Sequence, residues 1–188
     1  VIATVQDVLV MTRSDFERLP DEGRWEVVEG RAILVPPAEI PHQEISGNLN
    51  VLFHAKLNAS NTGFAVAAVS VFIPCGPGFR GELQSRVPDL VVSRRRPDRY
   101  FEVGNPPELV IEILSTPRGN VERTEKIDDY ALAGIGEYWI VDPFQRAVEI
   151  YRLEEGLYRE PEIVSQGSLR PHAFPGVEIE IAQIWPAK

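Results

Sequence analysis

In the run PELVIEILS, residues 107–115, strand alternation places Leu109, Ile111 and Ile113 on one face and Val110, Glu112 and Leu114 on the other. Both faces are apolar except at Glu112, the pattern of a central strand covered on two sides. RVPDLVVS, residues 86–93, has the same character: Val87, Asp89 and Val91 share one face, Leu90 and Val92 the other, so Asp89 also sits among apolar neighbours. From Pro41 the period changes, and Ile45, Leu49, Leu52, Phe53 and Leu57 recur at helical spacing, with proline tolerated in the first turn. A second helix is predicted from about Val121 to Gly134, burying Ile127, Tyr130 and Ala131 and ending at glycine.

Around these elements the punctuation is regular. Thr12 is placed to cap a short helix over TRSDFERLP, with Asp15 as its capping-box partner and Pro20 as its stop. RWEVVEGRAILVPP reads as a hairpin turning at Glu29-Gly30. FAVAAVSVFI, EYWIVD, AVEIYRL and GLYREPEIV read as strands, the last two meeting at Glu155-Gly156, and GVEIEIAQIW closes the chain. A buried strand with helices before and after it, plus antiparallel additions, predicts an α/β (mixed α+β) fold with a mixed central sheet flanked by helices.

The 188 residues, 44% apolar and 25% charged, suit one domain with a sizeable core, residues 1–10 forming an N-terminal extension. No internal repeat or low-complexity tract divides it. A single cysteine, Cys75, excludes an internal disulfide and a cysteine-rich metal knuckle, and suits a reducing cytoplasm. The apolar opening VIATVQDVLV is too short to span a bilayer and lacks the basic start of a secretion signal, so no membrane partner is expected. The net charge of −9 argues against general affinity for phosphate backbones. Its local exception is SRRRPDR, where Arg94, Arg95, Arg96 and Arg99 either meet phosphates or form a solvated loop.

Two acids on two apolar strands raise a specific chemistry. If the strands are adjacent, Asp89 and Glu112 converge, and like charges in a dry site share a proton or bind a cation. Oxygen ligands select a hard ion such as Mg²⁺ or Mn²⁺. Alternatively Asp89 starts its strand in solvent and Glu112 pairs with an arginine. Lys126, at the edge of the Ile127/Tyr130 stripe, either reaches back to the sheet or pairs with Glu122 four residues earlier. His42 lies on the apolar face of the long helix, three residues before Ile45, as a structural hydrogen-bonding residue or a proton carrier. Glu29 alternates with Trp25 and Val27 on an apolar strand face, although the adjoining turn also offers it to solvent.

The ordered set EVVEG, PP followed by His42, VPDLVV, PPELVIEILS and ERTEKIDDYALAGIGEYWIVDP resembles the Uma-type family of restriction-endonuclease-like proteins, long without an assigned function, within the PD-(D/E)XK nuclease superfamily. The resemblance runs from about Met11 to Trp185 and is most specific between Val87 and Pro143. It implies a restriction-endonuclease-like core, with Asp89 and Glu112 as metal ligands assisted by the backbone carbonyl of Ile113. In the simplest superfamily pattern a lysine follows the second acid by two positions, where this chain has Leu114, so Lys126 on the next helix stands as its replacement. The loop STPRGNVE departs from the family's usual SPST followed by Asp, with Glu122 in the acid's place.

The implied activity is metal-dependent hydrolysis of DNA phosphodiester bonds using Mg²⁺ or Mn²⁺, with Glu29 and His42 in support and a homo-oligomer as one way to reach two strands. A non-catalytic interaction protein on a nuclease fold is the competing expectation.

Overall fold

The structure is a computed structural model that describes residues 10–76, 79, 81–117 and 120–186, so most of the expected N-terminal extension lies outside the described residues. In chain order the first elements are α1 (Arg13–Phe16), β1 (Arg24–Val28), β2 (Arg31–Val35), α2 (Ile40–Ser60), β3 (Phe64–Ala67), β4 (Val71–Ile73), β5 (Gln84–Arg86), β6 (Leu90–Ser93) and β7 (Leu109–Ile113). There follow α3 (Asn120–Arg123), α4 (Glu125–Ala133), β8 (Glu137–Asp142), β9 (Ala147–Glu154), β10 (Leu157–Tyr158), β11 (Glu162–Val164), β12 (Ser168–Leu169) and β13 (Ile179–Glu180).

The central sheet runs β10-β9-β8-β7-β6-β3, with β11 also paired to β9. It is mixed: β7 and β8 are parallel, joined through α4, while β6–β7 and β8–β9 are antiparallel. The described residues thus form a mixed α+β fold with few helices around a central mixed sheet. Its two faces follow the alternation of β7. Leu109, Ile111 and Ile113 pack with Leu90, Val92 and Trp139 under Ile45, Leu49, Phe53 and Leu57 of α2. On the opposite face Val110 and Leu114 join Val91, Tyr138 and Ile140 under Tyr130 and Ala133 of α4.

A smaller sheet, ordered β2-β1-β5-β4, lies beside α4. Its outer face buries Val27 and Phe72 with Met11 and Phe16, the short helix α1 being held by the Thr12–Asp15 capping box. Glu29 and Gly30, with φ of +50° and +74°, make the two-residue turn between β1 and β2, where a left-handed backbone at both positions matches strand twist.

Three expected elements divide. FAVAAVSVFI is not one strand: Ala68, at φ +52°, turns the chain so that β3 stays in the central sheet and β4 joins the small one. The helix over 121–134 breaks at Thr124 (φ −126°, ψ −80°) into α3 and α4. GLYREPEIV splits at Pro161, with β10 on the end of β9 and β11 on its middle. In GVEIEIAQIW only Ile179 and Glu180 are extended, before a 3₁₀ turn over Ile181–Gln183.

Candidate functional site

Strands β6 and β7 are neighbours, with Leu90 facing Ile111 and Val91 facing Val110; one further step places Asp89 opposite Glu112 on the face that α4 covers. Asp89 immediately precedes β6, after Pro88, and its Oδ2 accepts the Ile113 N–H at 2.9 Å. The same oxygen faces His42 Nε2 at 3.0 Å, and Oδ1 lies 3.3 Å from Arg24. His42 comes from the first turn of α2, one turn before Ile45. A carboxylate oxygen needs a donor, which assigns the Nε2 proton to this contact and leaves the buried Nδ1 without a hydrogen-bond partner.

Glu112 is buried at 3% exposure, and its Oε1 accepts from Lys126 Nζ at 2.9 Å and from the Tyr130 hydroxyl at 2.6 Å. Lys126 and Tyr130 are four residues apart on α4 and therefore stack on one face. Lys126 also lies 3.6 Å from Glu26 Oε1, so its stem reaches back to the sheets and its charge sits between two acids. Tyr130→Phe deletes one donor to Glu112 in a dry setting. Urea unfolding should report a loss of about 2 kcal/mol with unchanged slope, and an unaltered midpoint would show the bond to be energetically silent.

Glu26 is the acid that sequence reading missed. Because β1 alternates, Arg24, Glu26 and Val28 face the site, whereas Trp25, Val27 and Glu29 do not; Glu29 is exposed in the turn and does not join the cluster. Glu26 accepts from the Val87 N–H at 3.2 Å and from Arg86 at 3.1 Å. Arg86, almost fully buried, also donates to Asp129 on α4 at 2.6 Å, and Gln84 donates to the same carboxylate. The signal was present, since RWEVV sets an acid between apolar residues just as LVIEI does.

The electrostatics follow from this packing. Burial pushes the Glu112 carboxyl up to about 7, with the Asp89 and Glu26 charges adding to it and Lys126 and Tyr130 opposing. Burial also works against a charged Lys126, but the acids around it outweigh burial and hold it protonated. Asp89 ends below its ordinary value: desolvation raises it, while His42, the Ile113 N–H and Lys126 more than compensate. His42 shifts upward, its burial overcome by the Asp89 contact.

Asp89 and Glu112 are hard oxygen donors on adjacent strands, a donor set that fits a divalent cation. Among the described residues no group of three or more His, Cys, Asp or Glu is gathered to hold an ion. Two carboxylates would leave the other positions to a backbone carbonyl, water and substrate oxygens, an arrangement Mg²⁺ accepts.

Arg94, Arg95, Arg96 and Arg99 do not share one location. Arg94 follows Ser93 at the far end of β6, five residues and roughly 17 Å from Asp89 at strand spacing, whereas the chain turns back so that Arg99 lines one cleft with Val87 and with Arg24, which is 3.3 Å from Asp89. All four are exposed, and each is held in place: Arg94 by the Ala173 carbonyl, Arg95 by Asn105 at 3.2 Å, Arg96 over the Phe64 ring and Arg99 by the Tyr100 hydroxyl. No helix among the described residues is long and apolar enough to cross a membrane.

A solved structure, a putative nuclease belonging to DUF820 from Anabaena variabilis ATCC 29413, superposes on this chain with a TM-score of 0.69 over 91% of this chain and 95% of that one. At 21% identity the likeness speaks for the fold alone. No curated protein matches the sequence. The Uma2 family model, described as "Putative restriction endonuclease", matches residues 13–182, a span that contains both strands carrying Asp89 and Glu112, the helix carrying Lys126 and the hairpin carrying Glu26. The chain belongs to the Uma2 family.

Proposed function

We propose that the protein is a divalent-metal-dependent DNA endonuclease. The observation that carries this reading is the convergence of Asp89, Glu112, Glu26 and Lys126, four ionisable groups from two strands, the residue before a third and a helix, each less than a tenth exposed. Arg86 offsets Glu26, and Arg24 with His42 offsets Asp89, which leaves Glu112, its carboxyl pushed up by burial despite Lys126, as the acid that a further cation would stabilise.

Asp89, Glu112 and the Ile113 carbonyl would hold Mg²⁺ or Mn²⁺, which when bound lowers the pKa of a water and offsets charge developing on the phosphate. The chain's own groups do the rest. Lys126 is kept protonated beside Glu112 and would supply electrostatic stabilisation to a scissile phosphate bound at these carboxylates. The Ile113 N–H and His42 fix the Asp89 carboxylate, and Glu26 with Arg86 fixes Lys126 from the other side. His42 supports Asp89 rather than standing apart as a free proton carrier. The exposed arginines Arg94, Arg95, Arg96 and Arg99 would grip backbone phosphates to one side of the reacting one. That placement reconciles a local basic patch with an acidic whole.

The enclosure of the site supports a second reading, an interaction protein that retains the acids without a substrate path. A cleavage screen over duplex, single-stranded and branched DNA and RNA with Mg²⁺ or Mn²⁺ decides between them. The nuclease reading expects cutting of at least one DNA that disappears with EDTA and in Asp89→Asn; no cutting of any substrate retires it.

A further inference from the structure

We infer that the protein forms a two-fold dimer through β2, joining the two small sheets into one eight-stranded sheet with both candidate sites on the same side. Among the described residues β2 is the outer strand of its sheet, and nothing pairs with its free side. Natural edges are protected by charge, proline or a bulge within the strand. In β2 the one charge is the exposed Arg31 at its first position; Ala32, Ile33, Leu34 and Val35 carry no charge, proline or bulge, Pro36 and Pro37 come only after the strand ends, and Ile33 and Leu34 are 48% and 43% exposed on opposite faces.

The hydrogen-bond pattern specifies the partner. In a two-residue hairpin the closing pair, Val28 and Arg31, exchanges bonds, so Arg31, Ile33 and Val35 bond inward while the N–H and C=O of Ala32 and Leu34 point outward. Antiparallel pairing of two identical strands needs a residue on the two-fold axis, because facing side chains share a face. Centring on Ile33 sets Ala32 opposite Leu34 twice, satisfying every outward donor and acceptor, with Arg31 opposite Val35 and no like charges facing. Centring on Leu34 brings Ala32 against Pro36, which has no N–H; centring on Ala32 brings Leu34 against Gly30 in the turn. A second copy of this chain, in the Ile33 register, is the occupant this edge fits.

The axis of such a pair is perpendicular to the sheet, so both protomers present the same face. Glu26 is the register partner of Ile33 on β1. The two Glu26 residues are therefore three strand spacings apart, roughly 14 Å, and project to one side. Resting on the nuclease reading, this gives one assembly two sites facing a single duplex.

The interface can be tested without cleavage. Light scattering of the full chain at micromolar concentration should give about twice 21.1 kDa. Ile33→Lys should yield a monomer, as should Ala32→Pro, which removes only an outward N–H and leaves the β1–β2 ladder intact. In a Cys75→Ser background, Ile33→Cys should form a covalent dimer under mild oxidation, because a non-hydrogen-bonded facing pair has Cα atoms about 4.5 Å apart. Arg31→Cys, facing Val35, should not. A monomeric parent, a dimer that survives both Ile33→Lys and Ala32→Pro, or cross-linking of Arg31→Cys as readily as Ile33→Cys overturns the proposal. A dimer with these properties that cuts no nucleic acid would uphold the interface and count against the nuclease reading alone.

Discussion

Lys126→Met should reduce cleavage by roughly 10²- to 10³-fold and cost about 3 to 5 kcal/mol of folding stability. Both effects have one cause. The methionine stem fills similar space along α4, but the charge that lies 2.9 Å from Glu112 and 3.6 Å from Glu26 is gone, leaving two buried carboxylates facing each other and Asp89. Chemistry and folding separate if single-turnover cleavage is measured at a temperature where circular dichroism shows the variant folded. Lys126→Arg adds a control: it restores a positive charge and part of the stability, but its planar fork cannot take the position of a compact ammonium, so cleavage should stay low. Cleavage by Lys126→Met within tenfold of the parent would remove this lysine from the mechanism.

The parts of the site carried by long apolar strands were legible. An acid inside LVIEI has few explanations in a strand covered on both faces, and β7 is indeed buried throughout. Lys126 needed the family resemblance, since its helical spacing from Glu122 offered an equally good surface pair. Glu26 was missed through a question of face. Trp25 and Val27 drew attention to one side of β1, and Glu29 lay in phase with them, but the small sheet turns that side toward Met11 and Phe16 and turns Glu26 inward. Sequence alternation sorts a strand into two faces without saying which one meets the site.

Arg86 and Asp129 were invisible for a different reason. Each is an ordinary polar residue locally, three positions before Asp89 and three after Lys126, and only the packing of the small sheet against α4 makes them partners. The breaks at Ala68 and Thr124 had no glycine or proline to announce them. The course of the arginine run was hidden in the same way: strand length carries Arg94 away from Asp89, but the loop after β6 turns back and sets Arg99 in one cleft with Val87 and Arg24.

Glu112→Gln should stabilise the metal-free protein at pH 8 while removing most of its response to Mg²⁺ or Mn²⁺. Burial raises the Glu112 carboxyl from 4.5 to about 7, so the native state holds this proton more tightly than the unfolded chain does. The stability from that group is fully present below pH 4.5 and is lost as pH climbs through about 7, a change of about 3 kcal/mol by linkage. Glutamine mimics the protonated carboxyl at every pH. The difference between variant and parent should therefore be small near pH 4.5 and widen to roughly 6 to 12 °C in melting temperature at pH 8 for a chain of this size. A divalent cation acts on the parent in the same direction, because a ligand at a hundred times its dissociation constant adds about 2.7 kcal/mol to the native state. The variant, lacking one of two carboxylate ligands, has little left to gain. If Glu112 served only as the partner of Lys126, the signs would reverse: Glu112→Gln would lower the melting temperature at pH 8, and neither protein would respond to metal. Thermal unfolding of both proteins from pH 4.5 to pH 8, with and without Mn²⁺, separates a cation site from a buried ion pair.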